Sequence, residues 1–231
     1  EEAAAAATVP ESDKREDFRA IPLVTIDGED AKDFDDAVFA EPAPENCWRI
    51  IVAIADVSTY VQSGDILDKE ARQRGNSVYL PGTVVPMLPE ALSNGLCSLR
   101  PHEDRACLAV EMIIDSAGNK QSHKFFQALI RSSARLTYTL VQQVIEGSLD
   151  EADCKVTPGT LHHLIGAFRT LHKSRNRRGT LNLNLSEARI QFDETDKPVS
   201  VTEHHQEEAH QLIEEFMIAA NTCAAETLEQ A

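Results

Sequence analysis

Between residues 25 and 39 the chain reads TIDGEDAKDFDDAVF, with six carboxylates (Asp27, Glu29, Asp30, Asp33, Asp35, Asp36) against a single lysine, Lys32. Like charges held within a few ångströms raise one another's pKa and resist joint ionisation. Such a segment cannot be packed into a core without a counter-cation. It must form a loop, either splayed into water or closed around metal. Its flanks supply the anchors: residues 21–26 are apolar and β-branched and read as a strand, and residues 37–40 read as a second. If residues 33–35 are extended, the period of two sends Asp33 and Asp35 to one side and Phe34 to the other, towards a core. Asp36 then points away from Asp35 and joins the same site only where the backbone turns. Asp27, at the end of the first strand, closes the ring. A set of oxygen donors suits Mg²⁺ or Mn²⁺ and not zinc, which prefers His and Cys. A calcium loop of the EF-hand kind is excluded, because Gly28 directly follows Asp27. A plainly solvated acidic loop is the ordinary alternative, and the two anchored flanks weigh against it.

The rest of the sequence supplies a frame for that loop. Residues 48–57, WRIIVAIADV, form a continuous apolar run that suits a strand buried on both faces. Residues 108–114 and 123–130 are apolar runs joined by the turn-rich 115–119, which predicts a β-hairpin. Leu161, Leu164, Ile165, Phe168 and Leu171 fall at helical spacing, with Gly179 placed to end the helix. The pattern returns from about residue 207 to the end in Leu212, Ile213, Phe216, Met217 and Ala220. Residues 1–20 read as a linker or an N-terminal helix. Strands grouped apart from helices predict an α+β fold of antiparallel or mixed sheets with packed helices.

At 231 residues and 42% hydrophobic content the chain can bury a real core. No apolar run reaches the roughly 18 residues of a membrane-spanning helix. Five cysteines, scattered and without a CxxC pair, argue against a disulfide framework or zinc site and for a reducing, cytoplasmic setting. The net charge of −16 runs against nucleic-acid binding by composition. Cations do cluster locally, at residues 172–178 and at Arg131 and Arg135. The first cluster is equally a helix C-terminal turn, where cations complement the dipole. The sequence starts without Met and stops within a helical pattern, so it is expected to be a piece of a longer chain.

Two further features admit a functional and a plain reading. Glu214 and Asn221, with His210 one turn before, share a face of the last helix, which by pattern is an ordinary solvated stripe. Tyr79, just before Pro81-Gly82, either anchors a turn or offers its ring to a nucleobase.

The segments IPLVTIDGEDAKDFDDAVF, VAIADVSTYV, RGNSVYLPGTVVPMLPEALSNGLCSL, ARLTYT, RRGTLNL and IEEFMIAAN, in that order, resemble the catalytic (RNB) domain of the RNase II family, most of all its bacterial ribonuclease R branch. The match runs from about residue 17 to the end. The resemblance implies a processive 3′-to-5′ exoribonuclease that hydrolyses RNA to nucleoside 5′-monophosphates with Mg²⁺, Mn²⁺ being the alternative. The family's four aspartates map onto Asp27, Asp33, Asp35 and Asp36. By resemblance Asp35 is the residue most needed for chemistry, Asp27 and Asp36 are direct metal ligands, and Asp33 is a ligand or its support. Tyr79 matches the aromatic that stacks on the terminal base, and Tyr138 a tyrosine lining the RNA path. Glu214 or Glu215 matches the acid at the 3′-terminal ribose, the shared helix face favouring Glu214. Leu183 stands where relatives carry a Phe that clamps the terminal base, so a weaker grip is expected. The resemblance also implies that residues 21–231 are the N-terminal part of the catalytic domain, with phosphate-binding arginines and cold-shock and S1 domains elsewhere in a longer parent chain. The partner implied is the 3′ end of single-stranded RNA. The competing expectation is a catalytically incomplete fragment, or an RNA- or protein-binding module that cleaves only with the missing part or a partner.

Overall fold

A computed structural model describes residues 8–9, 14–80, 83–180, 187–192, 197–204 and 206–231. The apolar run at residues 48–57 becomes β4 (Cys47–Ala55), the middle strand of a seven-stranded sheet. Antiparallel neighbours are β3 (Asp36–Ala43) on one side and β7 (Asp104–Ile114) on the other. Beyond β7 lies β8 (Lys120–Arg131), its partner in the expected hairpin, longer at both ends than the apolar runs alone suggest. The outermost position on that side is β1 (Glu16–Asp17), parallel to β8, so a strand lies within the segment expected to be linker or helix. Beyond β3 come β2 (Val24–Asp27) and β9 (Ala134–Thr137), paired in parallel from Val24 opposite Ala134 to Asp27 opposite Thr137. Two hairpins stand outside this sheet: β5 (Val78–Leu80) with β6 (Thr83–Val85), and β10 (Glu187–Phe192) with β11 (Pro198–His204).

The sheet has a core on each face, as a buried central strand requires. Val24, Ile26, Val38, Ala40, Ile50 and Val52 join the helical face, and Leu23, Ala37, Phe39, Ile51 and Ala53 the other. Ile50, Ile51, Val52 and Ala53 are all fully buried, and each larger side chain among them contributes about 1.5–3 kcal/mol by leaving water. Helix α1 (Ile66–Arg74) is capped by Asp65, whose side chain accepts from the Asp68 amide. The helical face is covered by α2 (Tyr138–Ile145), α3 (Thr160–Arg177) and α4 (Glu208–Glu229), which present Val141, Leu161, Leu164, Phe168, Leu212 and Phe216. Gly179, with φ at 78°, follows the end of α3 where the sequence placed it. α3 packs closely on the sheet through Gly166, which lies under the Trp48 indole, while the Trp48 Nε1–H donates to Thr170 Oγ1 at 3.1 Å. The result is the α+β class expected. No helix among the described residues is long and apolar enough to cross a membrane. All five cysteines are free thiols.

Candidate active site

The acidic loop leaves the sheet at the end of β2 and returns at the start of β3. Asp27 is the last residue of β2, and its Oδ1 accepts from the Gly28 amide at 2.7 Å. The following residues, 28–35, carry no regular structure, yet they are tied down from three directions. Phe34 is buried in the second core at 6% exposure, as the period of two predicts. Its amide donates to Ser98 Oγ at 3.1 Å, its carbonyl accepts from the Leu99 amide at 2.8 Å, and Ser98 Oγ donates to the Lys32 carbonyl at 2.8 Å. The Asp35 carbonyl accepts from the Ala55 amide at 2.9 Å, which aligns the return strand with β4. From β9, Arg135 donates to the Gly28 carbonyl at 3.1 Å and lies 5.2 Å above the Phe34 ring, a cation–π contact. The backbone is therefore fixed while the acidic side chains stay at the surface of the sheet's end.

The electrostatics show that the acids share one neighbourhood. Burial pushes Asp27 above the usual carboxylate range, and the charge of Asp33 adds to it. Asp35 is raised by partial burial and then by Asp33 and Asp27. Asp36 is pushed up to about 7 by burial and by Asp27 and Asp35. Asp36, the first residue of β3, thus shares the electrostatic neighbourhood of Asp27 and Asp35 despite being adjacent to Asp35. Its Oδ2 is buried with no hydrogen-bond partner. An ionised oxygen left so is costly unless a cation meets it.

Two tyrosines border the cluster. The Tyr79 hydroxyl, on the β5–β6 hairpin, donates to Asp33 Oδ2 at 2.9 Å, and that hydrogen bond raises the tyrosine's own pKa. Its ring remains 65% exposed. Tyr138 opens α2 immediately after Thr137, the residue paired with Asp27 across β9 and β2. Burial, then Asp27 and Asp36, push it up to about 12. The Tyr138 ring stacks on His210 of α4, centroids 4.1 Å apart at 19°.

The glutamates lie further along α4. Burial alone would raise Glu214, but hydrogen bonds from Arg175 Nη1 at 2.6 Å and Gln206 Nε2 at 2.8 Å hold it below the usual range. Glu215 is 4% exposed and accepts from Arg175 at 3.3 Å and lies 3.0 Å from His172 Nδ1. Of the pair, Glu214 is the one with an open edge, its side chain 36% exposed. Neither makes a described contact with the four aspartates. Leu183 lies outside the described residues. His172 and Arg175, from the basic run at 172–178, are thus engaged with the acids of α4. Lys173 and Arg177 of that run, with Arg169 before it, line a cavity of about 480 Å³ between α3 and α4.

Ser98, Arg135 and the His210 ring carry positional duties that the sequence does not announce. Ser98 sits in an unremarkable LCSL run, Arg135 reads only as part of a basic patch, and His210 only as one point on a helix stripe. As the side chains stand, no three His, Cys, Asp or Glu among the described residues converge on a single ion position. The donor set nevertheless fits a hard divalent cation: oxygens only, raised at Asp27, Asp35 and Asp36, with one buried oxygen unpartnered.

The RNB domain family model matches residues 15–231. The chain is 47% identical over 227 residues to Ribonuclease R of Vibrio parahaemolyticus, covering 96% of this chain and 27% of that protein. It is also 47% identical over 227 residues to Ribonuclease R of Escherichia coli K12, covering 96% and 28%. Its fold matches the solved structure of Mycoplasma genitalium RNase R in complex with ribose-methylated single-stranded RNA, with a TM-score of 0.93 at 31% identity, covering 100% of this chain and 36% of that one. The chain therefore spans a little over a quarter of the length of these two curated relatives.

Proposed function

Because the chain belongs to the RNB domain family, we propose that it carries the acidic cluster of a 3′-to-5′ exoribonuclease site that degrades RNA processively to nucleoside 5′-monophosphates in the cytoplasm. The observation that carries this reading is the cluster Asp27, Asp33, Asp35 and Asp36, held at one sheet end, with the carboxylates of Asp27, Asp35 and Asp36 raised and one Asp36 oxygen buried without a partner. Asp27, Asp33, Asp35 and Asp36 would hold Mg²⁺, or Mn²⁺ in its place, and the bound ions would supply an activated water and offset charge on the leaving 3′ oxygen. Asp35, the more exposed acid of the adjacent pair, sets the geometry of attack. The exposed ring of Tyr79 stacks on the terminal base, a contact worth about 1–3 kcal/mol. Tyr138 lines the strand's path, and Glu214 reads the 3′-terminal ribose through its hydroxyls, which distinguishes RNA from DNA. By the resemblance, Leu183 stands where relatives carry a clamping Phe and offers no π-face, so the grip on the terminal base is weaker.

The test is Asp35→Asn, assayed on 5′-labelled single-stranded RNA with Mg²⁺ and with EDTA. The unchanged chain should release nucleoside monophosphates only with Mg²⁺. The variant should lose hydrolysis and keep RNA affinity, because the lost interaction belongs to the transition state. Equal loss of rate and of binding would overturn the role given to Asp35. A second reading, that cleavage needs further segments or a partner, is favoured by the fraction of the relatives' length that the chain spans. Ion uptake without turnover is its signature.

A further inference from the structure

The β5–β6 hairpin stands outside the main sheet, and burial does not hold it there: Val78, Leu80, Val84 and Val85 are between 43% and 53% exposed. Its base is tied by the Met87 amide donating to Ser77 Oγ at 2.9 Å and by Arg74 Nη1 donating to the Pro86 carbonyl at 3.0 Å. The hairpin reaches the acidic loop through Tyr79, whose hydroxyl meets Asp33 Oδ2 at 2.9 Å. Asp33 in turn raises both Asp27 and Asp35, so where its carboxylate points affects the field at each.

A carboxylate has about four lone-pair sites, and one hydroxyl donor uses one of them. The remaining sites stay open to a cation, while the hydroxyl removes the free rotation of the carboxylate about χ2. Ligating carboxylates characteristically accept such an outer hydrogen bond, and losing it costs about 10–100-fold in metal affinity. We propose that the Tyr79 hydroxyl is the orienting partner of Asp33, so that one side chain both offers its ring to a nucleobase and sets the affinity of the aspartates for their ions. This rests on the proposed nuclease site and adds a positioning role to it, separate from stacking. By linkage the effect runs both ways: a base that fixes the Tyr79 ring tightens ion binding, and a bound ion tightens the grip on RNA by the same factor.

Tyr79→Phe separates the two roles, because it keeps the ring and removes only the hydroxyl. Titration of this chain with Mn²⁺ in a calorimeter, without RNA, should show affinity weakened about tenfold or more by Tyr79→Phe. Single-stranded RNA affinity measured by fluorescence anisotropy in EDTA should be unchanged. Tyr79→Leu should reproduce the ion defect and lose RNA affinity as well. Mn²⁺ affinity in Tyr79→Phe equal to that of the unchanged chain, while Asp36→Asn abolishes uptake, would overturn the orienting role and leave the nuclease site standing. Mn²⁺ uptake that survives Asp36→Asn and Asp35→Asn alike would place the ions elsewhere and remove both.

Discussion

At the scale of single residues, Asp36 concentrates the cost of building this site. Its carboxylate titrates near 7 in the folded chain, against about 3.9 when unfolded. A raised acid favours the protonated fold, so without ions the penalty is absent below pH 4, grows between pH 4 and 7 and is complete above 7. The gap corresponds to about 2–4 kcal/mol. In EDTA at pH 8, Asp36→Asn should therefore raise the melting temperature by roughly 5–10 °C and at pH 5 by much less. Divalent ions should stabilise the unchanged chain more at pH 8 than at pH 5, since they compete with a proton, and should leave Asp36→Asn unmoved. Thermal melts at the two pH values check this. A melting temperature that climbs steadily with pH in EDTA would contradict the assignment. Much of this was readable beforehand: the crowding of acids, the inward Phe34 and the anchoring strands all follow from alternation and charge. Hidden were the tethers, because Ser98 and Arg135 reach the loop from 64 and 107 residues away and no local pattern signals that.

Among the elements, the strands and helices that sequence periodicity revealed are those whose side chains meet a core on one or both faces. β4, the β7–β8 hairpin, α3 and α4 stand close to their expected places because long apolar repeats have few other ways to be buried. The unannounced elements are short or defined by partners far off. β1 is two residues paired with β8, β9 is four residues beside β2, and α2 begins directly where β9 ends. Close approach between elements makes a further prediction. A Cβ at Gly166 would meet the Trp48 ring at 2.8 Å, and that ring is held by its hydrogen bond to Thr170. Helix propensity favours Gly166→Ala by about 1 kcal/mol, but overpacking against a fixed indole costs about 1–3 kcal/mol. The variant should lose up to about 2 kcal/mol in urea unfolding, with Trp fluorescence altered. Increased stability with unaltered fluorescence would mean that α3 slides freely on the sheet.

Over the whole molecule, a net charge of −16 would face a polyanion under the proposed function. Among the described residues, at least nine Lys and Arg side chains are engaged in ion pairs with acids of the same chain, among them Arg15 with Asp56 and Arg49 with Glu41 and Glu111. On that proposal, affinity for RNA should depend on ions that offset the aspartates. Measured with Asp35→Asn so that no cleavage intervenes, single-stranded RNA should bind about tenfold or more tightly in millimolar Mg²⁺ than in EDTA at matched ionic strength, as one removed repulsion at partial screening provides. Equal affinity in both buffers would mean that RNA does not approach the cluster. The parallel pairing of β2 with β9 also bears on how the molecule comes into being. Thr137, which fixes the end of the aspartate strand, follows Asp27 by about 110 residues. At a synthesis rate of about 5–20 residues per second, the acidic strand waits roughly 5–20 seconds outside the ribosome before its neighbour exists. For that interval it is a nascent, unpaired edge, and the six carboxylates of residues 27–36, at its end and in the stretch that follows, keep it soluble and apart from other growing chains until the sheet can close.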